Sequence, residues 1–286
     1  MPSLRDIRKR IGSVKNTQKI TRAMKMVAAS KLRRAQHNLI NATHYMDAYK
    51  KILGELSKSV DFTSSPLGQK RETKNTLLIL MTGDKGLCGS FNTNLIAMCE
   101  RMIKEYQNQG HRITLTTIGK KGQAFAKKLT VELKDSFSID QIFKENITPS
   151  IATSLITDFL ENKFDMVSIV YGHFNSAISN TAKAMNVLPL TIENNEIQND
   201  REPLFEPTKK EVLKSFLEHL VHHTFYTTLV HTFVSEISSR MIAMDSATNN
   251  AKDLIGKLTL DFNRKRQASI TKEMLEIIGG KEALTN

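Results

Sequence analysis

The sequence predicts an α/β domain on a largely parallel sheet, flanked by two long helices that pair antiparallel as a coiled coil. Three observations predict it. Strand-like and helix-like segments alternate through the middle of the 286-residue chain, which is the mark of βαβ units. Both ends carry long stretches with apolar side chains at three- and four-residue spacing and few helix breakers. A polar stretch over 58–75, with Ser64, Ser65, Pro66 and Gly68, reads as a linker between the first helix and the middle.

The first helix is expected over 3–57, where there is no proline and the only glycines are Gly12 and Gly54. Ser3 is placed to cap it, and Asp6 puts a carboxylate in its first turn. Leu4, Ile7, Ile11 and Val14 form a coiled-coil seam. The same frame then meets Gln18, Thr21 and Lys25, and apolar residues resume a step away at Ile20, Met24 and Val27, followed by Leu32, Ala35 and Leu39. The expectation is a helix of about 80 Å whose seam drifts around its surface.

In the middle segment, Thr76–Thr82 reads as a buried strand ending at Gly83, residues 92–109 as a helix, and Arg112–Ile118 as a strand. Lys120–Leu129 reads as helical, Thr130–Leu133 as extended, Ile151–Glu161 as helical and Asp165–Tyr171 as a strand ending at Gly172. Val187–Ile192 completes the sheet, with Pro189 favouring an edge position. After Pro207 the chain returns to helix. Leu213, Phe216, Leu220, Val230, Val234, Ile237, Met241, Met244, Ala251, Ile255, Leu258 and Phe262 share one heptad frame over a helix of about 108 Å. A helix this long cannot cover its own apolar stripe, and the other terminal helix is the nearest partner. The expected organisation is an N-terminal coiled-coil helix over 1–57, a globular domain over 76–207 and a C-terminal coiled-coil helix over 208–286.

Composition narrows the function. The longest apolar run, Leu77–Met81, is far too short to span a membrane, and the charged N-terminus does not read as a secretory leader. Two cysteines, Cys88 and Cys99, exclude a disulfide framework and a four-cysteine zinc site. Residues 1–36 hold eleven Lys and Arg against the single acid Asp6, so they account for +10 of the total formal charge of +12. Such a segment implies an acidic partner: nucleic acid, anionic lipid or an acidic protein surface.

The candidate chemical motifs are weak. The loop Gly83–Ser90 follows a strand and precedes a helix, where phosphate loops lie, but it has neither GxxxxGK[ST] nor GxGxxG. His219, His222, His223 and His231 share one helix, with His219 and His223 one turn apart, yet no HExxH accompanies them. Cys88 and Cys99 lack CxxC spacing and read as ordinary thiols. No catalytic residue, metal ligand or cofactor-binding residue is singled out. Three readings stay open on these grounds: a mechanical or interaction protein, a coiled-coil scaffold that binds nucleic acid through its basic helix, and an independent nucleotide-binding enzyme.

Four stretches carry a family resemblance. They are SVKNTQKITRAMKMVAASKL at 13–32, just behind Ile7 and Arg8, then GDKGLCGSFN at 83–92, SEISSRM at 235–241 and RKRQASITKE at 264–273. Together, and in this order, they resemble the gamma subunits of rotary F-type ATP synthases. The resemblance implies a rotor shaft with a Rossmann-like globular domain as its foot. The implied partners are a ring of alpha and beta subunits, the epsilon subunit and the membrane c-ring, with no nucleic acid and no transmembrane segment of the chain's own. ATP or ADP and magnesium would sit on partner subunits, so this chain would hold no cofactor and act in catalysis only as part of the ion-translocating complex. The implied location is peripheral, on the cytoplasmic face of the cell membrane. No regulatory cysteine insertion of the chloroplast kind is present. By family position, Met24, Arg240, Gln267, Thr271 and Glu273 are the expected coupling contacts.

Overall fold

The computed structural model describes residues 3–56, 65–191, 205–206 and 208–285, with side chains as far as Glu276–Ile278 in the last helix. The N-terminal part of the predicted linker, Ile192 of the predicted last strand and the boundary at Pro207 lie outside the described residues. By compactness the chain forms two units, Met1–Ala28 with Met241–Asn286, and Ala29–Arg240. Both divisions fall inside a helix: α1 runs Leu4–Leu56 and α6 runs Lys209–Thr285.

Within the first unit, α1 and α6 pair antiparallel. The Arg8 guanidinium lies over the Phe262 ring, the hydroxyls of Thr21 and Thr248 hydrogen bond at 2.8 Å, and the Lys25 ammonium meets Asp245 at 2.6 Å. Each step up α1 is a step down α6. Ser3 and Asp6 close a capping box: the Asp6 N–H donates to the Ser3 hydroxyl, and the Ser3 N–H donates to the Asp6 carboxylate. Those hydrogen bonds lower the pKa of Asp6.

The seam of α1 does not drift. Ile20 and Val27 are 60% and 56% exposed, whereas Thr21 is buried in its place. The frame begun at Leu4 and Ile7 continues through Thr21 and Lys25 to buried Ala28, Leu32, Ala35, Leu39 and Ala42. Hydrophobicity lost the frame there because the seam residues are polar but paired. Each Thr hydroxyl also finds a carbonyl one turn back, Gln18 for Thr21 and Met244 for Thr248.

The second unit is built on a five-stranded sheet in the order β3-β2-β1-β4-β5. The strands are β1 (Asn75–Met81), β2 (Arg112–Ile118), β3 (Glu132–Phe137), β4 (Met166–Phe174) and β5 (Asn180–Leu188). The first four are parallel and β5 runs antiparallel to β4. Between them lie α2 (Phe91–Asn108), α3 (Lys120–Ala126), α4 (Ile139–Glu145) and α5 (Thr148–Leu160). Alternate residues of β1 feed two cores. Leu77, Ile79 and Met81 face α5 and α6, and Leu78 and Leu80 face α2. Leu217, Val221, Phe225 and Leu229 of α6 are fully buried in the first of these.

Three local expectations are corrected. The last strand is Asn180–Leu188, not Val187–Ile192, because a half-exposed edge strand needs no apolar alternation. The extended stretch begins at Glu132 rather than Thr130. Leu67, in the stretch read as a linker, is 3% exposed and its carbonyl accepts from the Leu190 N–H at 2.8 Å. Its apolar side chain makes it part of the core.

If the polar seam acts as a pair, Thr21→Val and Thr248→Val will not add. Urea unfolding of the two single variants and the double variant should give a coupling energy of about 0.5–1.5 kcal/mol. Strict additivity would mean that the two hydroxyls do not interact.

Candidate functional site

The residues expected as coupling contacts occupy different settings. Met24 is half-buried beside the seam of the first unit. Along the same stretch of α1, on the side turned away from Met24, lies a cleft of about 610 Å³ whose lining includes Lys19, Arg22, Lys25 and Lys252, with Asp245 the one acid. Lys25 and Asp245 neutralise one another, so the other three bases leave the cleft positive. Gln267, Thr271 and Glu273 are exposed on α6. By the antiparallel register, Leu4 at the start of α1 lies level with residue 266, so α6 from Gln267 onward has no partner from α1. These three stand about 30–40 Å along α6 from the level of Met24. Their contacts are local: the Thr271 hydroxyl donates to the Gln267 carbonyl at 2.9 Å and Ser269 to the Glu273 carboxylate at 3.2 Å. Ile270, Met274, Ile277 and Ile278 form an apolar stripe here, each at least half exposed.

Arg240 belongs to the second unit and is engaged there. Its guanidinium pairs with Glu236 one turn back and donates to the carbonyl of Gly86 at 3.2 Å and, at longer range, that of Lys85. The two side chains are only 17% and 8% exposed. Arg240 thus clamps the loop Gly83–Ser90 to α6.

That loop sits where a doubly wound sheet makes its ligand crevice. The chain moves outward from β1 to β2 and β3, then crosses to β4 on the other side of β1, so the switch point lies beyond the carboxyl ends of β1 and β4. Here α6 fills it. Ser235 donates to the Gly172 carbonyl at 3.1 Å, and the Gly172 N–H donates to Thr232 at 3.3 Å. A Cβ on Gly172 would fall 2.6 Å from the Phe91 ring, and one on Gly83 would fall 2.9 Å from Cγ of Glu236. The N-termini of α3 and α4 share a carboxylate of the chain itself. Asp84 accepts from the Lys120 N–H at the start of α3 and from the Asp140 N–H in α4, each at 3.0 Å. Sequence reading missed this role of Asp84. Its signal was an acid directly after a strand-ending glycine.

The flagged histidines and cysteines are also placed. His223 packs against Tyr45 and Tyr49, His222 lies 3.4 Å from the Thr153 hydroxyl, and His231 stacks on His173 at 4.5 Å. Among the described residues no cluster of three or more His, Cys, Asp or Glu forms a metal cage. Cys88 and Cys99 are buried and free; burial raises both thiol pKa values, that of Cys99 to about 12. Thiols held so far from ionisation are poor nucleophiles.

Two predictions follow from these contacts. Arg240→Ala leaves the buried Glu236 carboxylate without its partner and should lower stability by about 3 kcal/mol, with part of the loss recovered by adding Glu236→Gln. A stability unchanged in denaturant titration would show that Arg240 is no clamp. The second concerns pH. Burial, then His173, then Lys183 push the His231 imidazole down to about 4, and its Nδ1 accepts from the Phe174 N–H at 3.3 Å. The unfolded chain, with a histidine near 6.5, takes up the proton first. Stability contributed by this residue is therefore complete above pH 6.5 and is lost as pH falls toward 4, at up to about 1.4 kcal/mol per pH unit. His231→Gln should flatten the stability profile in that window; an unchanged slope would contradict the assignment.

With this geometry in place, known proteins fix the family. A family model described as ATP synthase matches residues 3–284. The ATP synthase gamma chain of Geotalea daltonii is 42% identical over 99% of both chains, and that of Geobacter metallireducens 40% identical over the same shares. Among solved structures, a central stalk/c-ring structure of the Tetrahymena thermophila mitochondrial ATP synthase matches 80% of this chain and 99% of its own, with 26% identity and a TM-score of 0.58. A chain of the Euglena gracilis mitochondrial ATP synthase, in an OSCP/F1/c-ring structure, matches 98% of this chain and 94% of its own with a TM-score of 0.69; at 20% identity it supports the fold. Full-length identity near 40%, the family model and the shared architecture agree: this chain belongs to the family of ATP synthase gamma chains.

Proposed function

We propose that this chain is the central rotor shaft of a membrane-bound F-type ATP synthase, coupling ion flow through the membrane sector to ATP synthesis or hydrolysis on partner subunits. The observation that carries this reading is the first unit: two antiparallel helices, a basic cleft along their pairing, and a single helix end with an exposed apolar stripe. A shaft of this kind is asymmetric about its axis. As it turns, each surrounding subunit meets a different face in sequence. Faces that contact the open and closed conformations unequally change nucleotide affinity through that difference alone.

The surfaces support the partners that the family resemblance implies. The basic cleft suits acidic groups on beta subunits, and the apolar end of α6 suits a sleeve formed by the alpha and beta ring. The α/β domain meets the epsilon subunit and the c-ring, which holds the chain on the cytoplasmic face of the membrane. No helix among the described residues is long and apolar enough to cross a membrane, so attachment runs through those partners. ATP, ADP and magnesium belong to partner subunits: this chain's switch-point crevice is filled by α6 and Asp84. The scaffold reading, with nucleic acid on the basic helix, finds no support among the relatives.

Three measurements test the proposal. Capture of the chain from detergent-solubilised membranes should bring alpha, beta and epsilon subunits and the c-ring with it. Salt-sensitive nucleic acid in their place would overturn it. Titration of the full chain with ATP should show no saturable micromolar binding; binding abolished by a change at Gly86 or Gly89 would refute the cofactor assignment. The third is Met24→Lys, which adds a cation beside Lys25 and Arg22 and facing acidic partner groups. Two charges 4 Å apart interact by about 4 kcal/mol at an effective dielectric constant near 20, before desolvation and screening. Even ~1.4 kcal/mol biases one rotary position tenfold. Ion pumping per ATP hydrolysed should fall while the complex still assembles. An unchanged ratio would make Met24 a packing residue only.

A further inference from the structure

Beyond the shaft surfaces, one cleft of the α/β domain has the make-up of a ligand site. It encloses about 300 Å³ between α5 and the outer strands β2 and β3, at the lower end of the range for small-molecule pockets. One wall is apolar, with Phe137, Ile151 and Leu155. Its floor holds Thr116, which is 2% exposed and whose Oγ1 has no hydrogen-bond partner among the described residues. The neighbouring Thr117, on the opposite face of the strand, donates to Ser136 at 3.0 Å. A buried hydroxyl without a partner costs roughly 1–3 kcal/mol, so its retention calls for a reason.

Strand geometry supplies the opening. Leu115 pairs with Leu133 but Thr116 pairs with Asp135, so Lys134 is the extra residue of a β-bulge opposite the orphan hydroxyl. A bulge bends the strand and re-aims the side chains beside it, and such irregularities gather next to binding sites. The facing helix start is also unusual: the N-cap of α5 is Ile147, with no side chain bonding its first turn. Lys134 lines the cleft, but its ammonium pairs with Asp158 and lies 3.8 Å from Asp135. The charges at the rim are thus matched within the protein and leave no unpaired charge for an ionic ligand to neutralise.

We infer that this cleft binds a neutral, ring-sized molecule with one hydroxyl or carbonyl group, the polar atom hydrogen bonding to Thr116 Oγ1 and the ring lying on Phe137, Ile151 and Leu155. The test uses the full chain and 4-fluorophenol, followed by fluorine NMR, with fluorobenzene and 4-fluorobenzoate as the apolar and charged counterparts. One saturable site with a Kd on the order of 1 mM is expected for the phenol, and weaker binding for both counterparts. Thr116→Val removes only the hydroxyl; it should weaken the phenol about three- to tenfold, leave fluorobenzene nearly unchanged and raise the melting temperature. Ser154→Phe, at the exposed rim, should fill the cleft and abolish binding. No saturable binding, equal affinity for fluorobenzene, tighter binding of the benzoate, or a phenol affinity that survives Thr116→Val would each overturn the assignment.

Discussion

Helix α6 crosses the carboxyl ends of β1 and β4, and the close approach it makes there organises the second unit. Gly83 and Gly172 leave no Cβ in its path, while Thr232 and Ser235 hydrogen bond to the backbone of β4 at Gly172. Because the helix is tied at this level, its preceding turns lie in the core, where Leu217, Val221, Phe225 and Leu229 are fully buried. The same contact closes the place where doubly wound sheets take up ligands. Glu236 and Arg240 finish it by fastening the loop after β1. A fold that elsewhere hosts nucleotide chemistry is used here to grip a helix.

The pairing of α1 with α6 in the first unit rests on a different balance. A purely apolar seam would bury more surface, yet it would also tolerate sliding by a heptad, since each apolar layer resembles the next. The Thr21–Thr248 and Lys25–Asp245 contacts are satisfied in only one register. The ion pair is about 40% exposed on both sides, so it contributes little to stability, and its value lies in specifying alignment. For a shaft that transmits torque, a fixed register between the two helices matters more than a few tenths of a kcal/mol.

The residues that the family resemblance offers as coupling contacts sit in different settings. Gln267, Thr271 and Glu273 stand exposed on a helix end without a partner from α1. Met24 stands half-buried at the margin of a seam that passes through Thr21 and Lys25, and the cleft with a basic lining opens on the other side of that seam. Arg240, expected by family position as a coupling contact, has its guanidinium engaged by Glu236 and by the loop carbonyls, partners more than 150 positions away in the latter case. Nothing in the local pattern of an isolated helix announces such a partner.

The sequence by itself determined the long helices, the parallel α/β middle and the strands β1, β2 and β4, because these depend on local periodicity: apolar runs bounded by glycine, and heptads without breakers. It also determined the concentration of positive charge at the N-terminal end. The tertiary structure alone decided which polar residues belong to the seam, that β5 runs antiparallel along the edge, that Leu67 is core, and that Asp84 caps two helices while α6 fills the crevice. Each of these depends on a partner distant in the chain. A polar side chain reads as surface until the group that satisfies it is brought alongside, and only the folded chain brings it there.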